Sequence, residues 1–226
     1  MALTKAHRNL FASIDPDGPA DEHQNRERIL MAAAALFANK GYAGTSVREI
    51  VEAAWVTKPT LYYYFKNKED LFVKLMDMAM ETFSLLLEEA LARKGAMRER
   101  LVGLYMDFHR IAHENVDLLK LANSLIYGPR GATPAYDIMK VSGHMEAVFN
   151  AILDAGIREG ELEDEIREDV MLLLIGLLRS IQVLLVLKMP HRTVTPDSIA
   201  RAIDLVFDGA RSSLVKSGEL ERGIRQ

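Results

Sequence analysis

From about residue 21 to about residue 216, the apolar residues of this chain return every three or four positions, and no stretch alternates convincingly between apolar and polar. A period near 3.6 is what an amphipathic helix needs; a half-buried strand needs a period of two. No Asn-Gly or Asp-Gly turn joins two β-branched runs: the pair Asp17-Gly18 lies between Pro16 and Pro19, where it reads as part of a mobile arm. The chain is therefore expected to be all-α. It contains no cysteine, which removes disulfide frameworks, thiolate zinc sites, iron–sulfur clusters and cysteine nucleophiles. At 226 residues it is long enough to bury a core without such staples.

Punctuation divides the pattern into helices. The first is expected over Asp21 to Asn39, with Ile29, Leu30, Ala33, Leu36 and Phe37 on one face and Gly41 as its left-handed cap. Ser46 followed by Glu49 is a capping-box pattern and opens a short helix that ends near Ala54. Another runs from Thr57 to about Phe65, with Pro59 in its first turn, where a missing N–H costs nothing. Asn67 caps a long helix reaching Arg93, and Glu69 and Asp70 in its first turn suit the dipole. Further helices are expected over Met97 to His113, Val116 to Ile126, Pro134 to Glu159, Glu165 to Lys188 and Pro196 to Lys216, nine in all. The reading gives an arm at residues 1–20, a three-helix head at 21–71 and a larger helical body at 72–226.

Charge follows the same division. The formal net charge is −4, yet Arg26 to Lys68 holds seven basic residues against three acidic ones, while Phe72 to Gln226 holds 19 against 23. A small basic head on an acidic body points to a polyanion as the partner of the head. The N-terminal residues carry charges throughout and lack the apolar run of a signal peptide. The most apolar stretch, Met171 to Leu187, is interrupted by Gly176, Arg179, Ser180 and Gln182, and reads as a buried helix rather than a membrane span. A cytoplasmic protein without a membrane segment is expected.

The segment that carries chemistry is Thr45 to Phe65. It reads as two short helices joined by a tight turn. Val47, Ile50 and Val51 face inward from the first, and Leu61, Tyr64 and Phe65 from the second, leaving Lys58, Pro59, Tyr62 and Tyr63 outward. A short helix with a basic start and exposed tyrosines can enter a major groove. Lys58 and the free N–H groups there attract phosphates. Tyr62 and Tyr63 can bond phosphate oxygens or pack on thymine methyls. Lys66 and Lys68 can hold the backbone alongside.

At these residues the chain resembles the TetR family of bacterial transcriptional regulators. Ala-Leu-Phe-Ala-Asn-Lys-Gly-Tyr (35–42), Thr-Ser-Val-Arg-Glu-Ile (45–50) and Thr-Leu-Tyr-Tyr-Tyr-Phe-Lys-Asn-Lys-Glu-Asp-Leu (60–71) carry the likeness, which runs from about Arg26 to Leu71. The resemblance implies a homodimer whose helix-turn-helix heads bind double-stranded operator DNA, with a body that binds a small effector. It makes Arg48, Lys58, Pro59 and Tyr62 candidates for base-edge contact. Thr45, Ser46, Thr57, Thr60, Tyr63, Lys66 and Lys68 become candidates for backbone contact. Trp55 departs from the pattern, because the turn residue there is usually a glycine at positive φ, and Val51 stands where a small alanine is usual.

In the body, Met171 to Leu187 is apolar nearly all round and must be covered on several sides. Together with the last helix it is expected to form an isologous interface through Leu173, Leu177, Ile181, Leu184, Ile203, Val206, Phe207 and Ala210. Candidate effector-lining residues are Met76, Met80, Phe83, Tyr105, Phe108, His109, Tyr127, Met145 and Phe149, and their few charges suit a largely apolar ligand. His109 and His113 stand one helical turn apart, but without an HExxH motif or cysteine no metal is expected. No phosphate loop, nucleophile elbow or catalytic triad is present, so neither a cofactor nor catalysis is expected. The reading is an effector-released repressor; the alternative is a dimeric small-molecule-binding or interaction module whose Trp55 impairs DNA binding.

Overall fold

The computed structural model describes residues 22–129, 131–137, 139–187 and 194–209. Among these there are nine α-helices and no strand. They are α1 (Glu22–Lys40), α2 (Val47–Ala53), α3 (Lys58–Tyr64), α4 (Lys68–Ala92), α5 (Met97–Glu114), α6 (Val116–Tyr127), α7 (Met139–Arg158), α8 (Arg167–Leu187) and α9 (196–209), with a 3₁₀ turn at Asp164–Ile166. The arm at 1–20 and the end of the last helix lie outside the described residues.

The helices sort into two compact units. One takes in Met1–Leu85 and Arg110–Gly143, the other Leu86–His109 and His144–Gln226. The expected boundary at residues 71–72 therefore falls inside α4, which begins in the first unit and continues into the second.

The first unit is built on α1. Its periodic face, Ile29, Leu30, Ala33, Ala34 and Phe37, is buried against Ile50 and Val51 of α2, Leu61 and Phe65 beside α3, and Leu71, Phe72, Leu75 and Met76 of α4. Leu118 and Leu121 of α6 complete the cluster, so α6 packs against α1. Each of the large side chains contributes roughly 1.5–3 kcal/mol on burial. Gly41, at φ 75°, ends α1, and its N–H donates to the Phe37 carbonyl at 2.9 Å. That left-handed step turns Tyr42 back onto Phe37 and Phe72, with ring centroids 5.4 Å from each.

The second unit centres on Tyr105 of α5, which is fully buried. Its ring packs edge-on against Phe149 of α7 at 6.2 Å, and its hydroxyl donates to the Leu174 carbonyl of α8. The Glu161 carboxylate accepts from the Met97 N–H at 3.0 and 3.1 Å, capping α5 from a residue 64 positions away. Arg98 pairs with Asp204 of α9, and Arg167 pairs with Asp154 of α7.

One expected boundary is corrected. The helix assigned to start at Pro134 starts at Met139, and residues 134–137 are not helical. A first-turn proline is compatible with a helix without initiating one. Here the connecting stretch is held by Tyr136, whose hydroxyl donates to the Asp77 carboxylate at 3.1 Å.

Candidate nucleic-acid interface

The site begins at Ser46. Its hydroxyl accepts from the Glu49 N–H at 3.2 Å, while the Glu49 carboxylate accepts from the Ser46 N–H at 2.8 Å, so the capping box of α2 is closed both ways. Glu49 also accepts from the Lys40 ammonium at 2.6 Å, which ties the end of α1 to the start of α2. The Lys40 bond first, and the Ser46 backbone and hydroxyl next, hold the Glu49 carboxyl down at about 2. A depressed carboxylate stabilises the fold above its unfolded value and loses that effect as pH falls through its folded value. Glu49→Gln is thus expected to melt below the unsubstituted protein at neutral pH. The gap should narrow as pH falls from 4.5 towards 2 in parallel melting curves.

The turn after α2 is a Schellman motif. The Val56 N–H donates to Val51 at 3.0 Å and the Trp55 N–H to Glu52 at 3.3 Å. That geometry puts Trp55 at the left-handed position with φ 55°, and no other non-glycine residue described has a positive φ. A residue with a Cβ is strained there by about 1–2 kcal/mol. The indole recovers little, being 87% exposed beside a groove lined by Arg28, Met31, Ala32, Ala35 and Leu36. Trp55→Gly is expected to raise the melting temperature by about 2–4 °C. An unchanged or lower value would show that the indole packs usefully.

Thr57 caps α3, its hydroxyl accepting from the Thr60 N–H at 3.3 Å, and Pro59 lies in the first turn. Leu61 and Phe65 are buried, fixing which face of α3 looks outward. On that outer face Lys58 and Pro59 are exposed, and Tyr62 and Tyr63 are 51% and 72% exposed. The Tyr63 ring stands edge-on to Tyr64 at 4.9 Å, which restrains it. Lys58 and Lys66 are exposed, with no side-chain hydrogen bond or ion pair among the described residues. Arg48 is exposed and paired with Glu52 one turn along α2 at 2.7 Å. The other candidates are used internally. Thr45 is 2% exposed, and its hydroxyl donates to the Gly41 carbonyl. The Lys68 ammonium donates to the carbonyls of Tyr42 and Thr45. Lys40 and Tyr42, which organise this region, were not among the sequence candidates; nothing in a linear pattern links Lys40 to Glu49 nine residues later.

The body candidates divide between the two units. In the first, Met76 is buried in the core, Met80 packs against that core, Phe83 is half-buried and Tyr127 is 67% exposed. In the second, Tyr105 and Phe149 meet, Phe108 and Met145 are buried and His109 is half-buried. Among the described residues no three His, Asp or Glu side chains form a metal-holding group.

The interface candidates also separate. Ile181, Ile203 and Phe207 are covered by the protomer itself, because a helical stripe shows that a face needs cover without showing whose. Leu173 is 51% exposed, Leu177, Leu184 and Val206 are half-buried, and Ala210 lies outside the described residues. The outer face of α8 is instead Leu172, Gly176, Ser180, Val183 and Leu187, with Leu173 at its edge, while Val170, Met171, Leu174, Leu178 and Ile181 face inward. Residues 164–187 are also long and apolar enough to cross a membrane by length and composition.

Comparison with known proteins places this geometry. Residues 29–75 match the family described as bacterial regulatory proteins, tetR family. The chain is 25% identical to the HTH-type transcriptional repressor KstR2 of Mycolicibacterium smegmatis, over 69% of this chain and 76% of that protein. It is 28% identical to the fatty acid metabolism regulator protein of Bacillus subtilis, over 61% of this chain and 70% of that one. In fold it is similar to the crystal structure of the TetR family transcriptional regulator PfmR from Thermus thermophilus. That likeness has a TM-score of 0.63 and 24% identity, covering 80% of this chain and 97% of the other.

Proposed function

Because the chain belongs to the TetR family of bacterial regulatory proteins, and its head is that of a DNA-binding transcriptional regulator, we propose that it is a homodimeric cytoplasmic repressor released from its operator by a small apolar effector. The observation that carries the DNA contact is the outer face of α3. Lys58, Pro59, Tyr62 and Tyr63 project from a short helix whose start is capped and whose inner face is locked by Leu61 and Phe65. Such a helix enters a major groove with its N-terminal residues towards the base edges. Tyr62 then reaches bases, and Tyr63 and Lys66 reach phosphates. Fluorescence anisotropy on the duplex upstream of the coding region should give affinity that falls linearly with salt on logarithmic axes. Absence of binding at every salt concentration would contradict the reading.

The outer face of α8 supports the homodimer. Five positions of one stripe stand outward, and Gly176 and Ser180 at its middle let a second helix approach closely. An apolar stripe presented to a copy of itself closes a two-fold interface. Two heads related by that axis read two half-sites.

For the effector, the apolar, aromatic and methionine-rich character of the body residues favours a ligand with little charge. One relative above is named for fatty acid metabolism, which agrees with that chemistry. Effector binding in the body shifts α4, whose first turn abuts the recognition unit, and so resets the spacing of the paired α3 helices. Linkage requires operator and effector to weaken each other by the same factor. Calorimetry with oleate as the probe, with and without operator duplex, checks this; equal affinities would contradict it. The alternative of impaired DNA binding finds no support in the turn, since Trp55 adopts the left-handed conformation and both Schellman hydrogen bonds form.

A further inference from the structure

We propose that Lys68 is a positioning residue that couples the start of α4 to the helix-turn-helix, and that it makes no phosphate contact. The inference rests on the DNA-binding reading above and goes beyond it. Lys68 occupies the first position of α4, where the positive end of the helix dipole disfavours a cation. The structure offsets this by folding the ammonium inward. It donates to the Tyr42 carbonyl at 2.9 Å and to the Thr45 carbonyl at 2.9 Å, and lies 4.1 Å from the centroid of the Tyr42 ring. A cation over an aromatic face gains further attraction. Two of its three donors are thus spent on one turn of backbone.

That turn leads directly into the recognition unit. Thr45 is buried, its N–H donates to Tyr42 at 3.3 Å and its hydroxyl to Gly41 at 2.9 Å, so residues 41–45 form one closed knot. The next residue is Ser46, the cap of α2. A displacement of α4 therefore reaches α2 through two hydrogen bonds and a turn anchored by the buried Thr45, and α2 carries α3. The geometry differs at Lys66, which is exposed and free to meet a phosphate.

The test is Lys68→Met, which keeps much of the side-chain length and removes the donors. Three quantities are measured on the full chain with duplexes selected for binding. The first is the salt slope, which a lost phosphate contact lowers by about 0.9 per head; the latch predicts an unchanged slope. The second is the ratio of affinities for the native half-site spacing and for a duplex with one base pair inserted. A latch that sets head position predicts that this ratio falls at least about threefold in the variant, whereas simple destabilisation leaves it unchanged. The third is amide exchange at residues 41–46 in the free protein, expected to quicken about tenfold. A lowered slope with unaltered exchange overturns the proposal in favour of a phosphate contact. An unaltered spacing ratio reduces Lys68 to a purely structural role and overturns it too. Should the unsubstituted protein bind no duplex, the DNA-binding reading fails, and the exchange measurement alone decides the latch. Should Lys68→Met not fold, Lys68→Arg keeps the charge but presents a planar fork. The latch then predicts faster exchange at 41–46, and a phosphate contact predicts no change.

Discussion

Gly176→Glu is expected to leave each protomer folded, separate the proposed dimer and weaken operator binding by a factor of about 10²–10⁴. An added Cβ at Gly176 meets nothing within 4 Å inside the protomer, and the residue is exposed on α8. Replacing an exposed helical glycine by a good helix former such as Glu should stabilise the protomer, by up to about 1 kcal/mol. The loss of association has a separate cause. Leu172, Val183 and Leu187 share the exposed stripe with Gly176, so a partner helix seated there would meet the bulk of the new side chain and desolvate its carboxylate, with Arg179 one turn along as the nearest cation. Once separated, each head binds its half-site alone and forfeits the effective concentration supplied by its twin. The two effects have opposite signs, which makes the outcome diagnostic. Light scattering and melting curves should show a smaller particle from a protomer that is no less helical. A variant that remains dimeric would place the interface elsewhere.

Tyr62→Ala is the second large effect. Tyr62 is 51% exposed on the outer face of α3, so its removal should change stability by no more than about 0.5 kcal/mol. Loss of a base-edge contact costs about 1–3 kcal/mol at each half-site, roughly fivefold to 150-fold, and relaxes the preference for one base pair. The neighbouring Phe65 provides the contrast. It is 1% exposed within the head core, and Phe65→Ala would cost about 3–5 kcal/mol of folding and abolish binding by unfolding the head. Anisotropy at matched folded fraction separates the cases. Unchanged affinity and unchanged base preference in Tyr62→Ala would show that α3 enters the duplex by another face.

What could be read in advance was whatever is written locally. Ser46 and Glu49 stand three apart, and both halves of the capping box form. The family pattern places a glycine at positive φ where this chain has Trp55, and φ there is 55°. The inward face of α1 followed from its 3.6-residue period: Ile29, Leu30, Ala33 and Phe37 form the core, while Leu36 is half-buried against it. What could not be read depends on distant chain. Lys68 finds its partners 26 and 23 residues earlier, across a left-handed step at Gly41 that sequence marks without aiming. Periodicity showed that Ile203 and Phe207 needed cover, but their own protomer supplies it. Gly176 and Ser180 counted as interruptions of an apolar run, yet they lie in the middle of its exposed stripe. Pro134 does not begin a helix, because a proline is compatible with a first turn without initiating one, and the helix starts at Met139.

The central claim is that two copies present α3 to one duplex across a two-fold axis. Selection from a random pool of duplex DNA, sequenced after several rounds, tests it most directly. The account predicts an enriched inverted repeat whose half-sites lie about one helical turn, 10–10.5 base pairs, or a multiple of that apart. Enrichment of a single unrepeated site, or of no sequence at all, would contradict it.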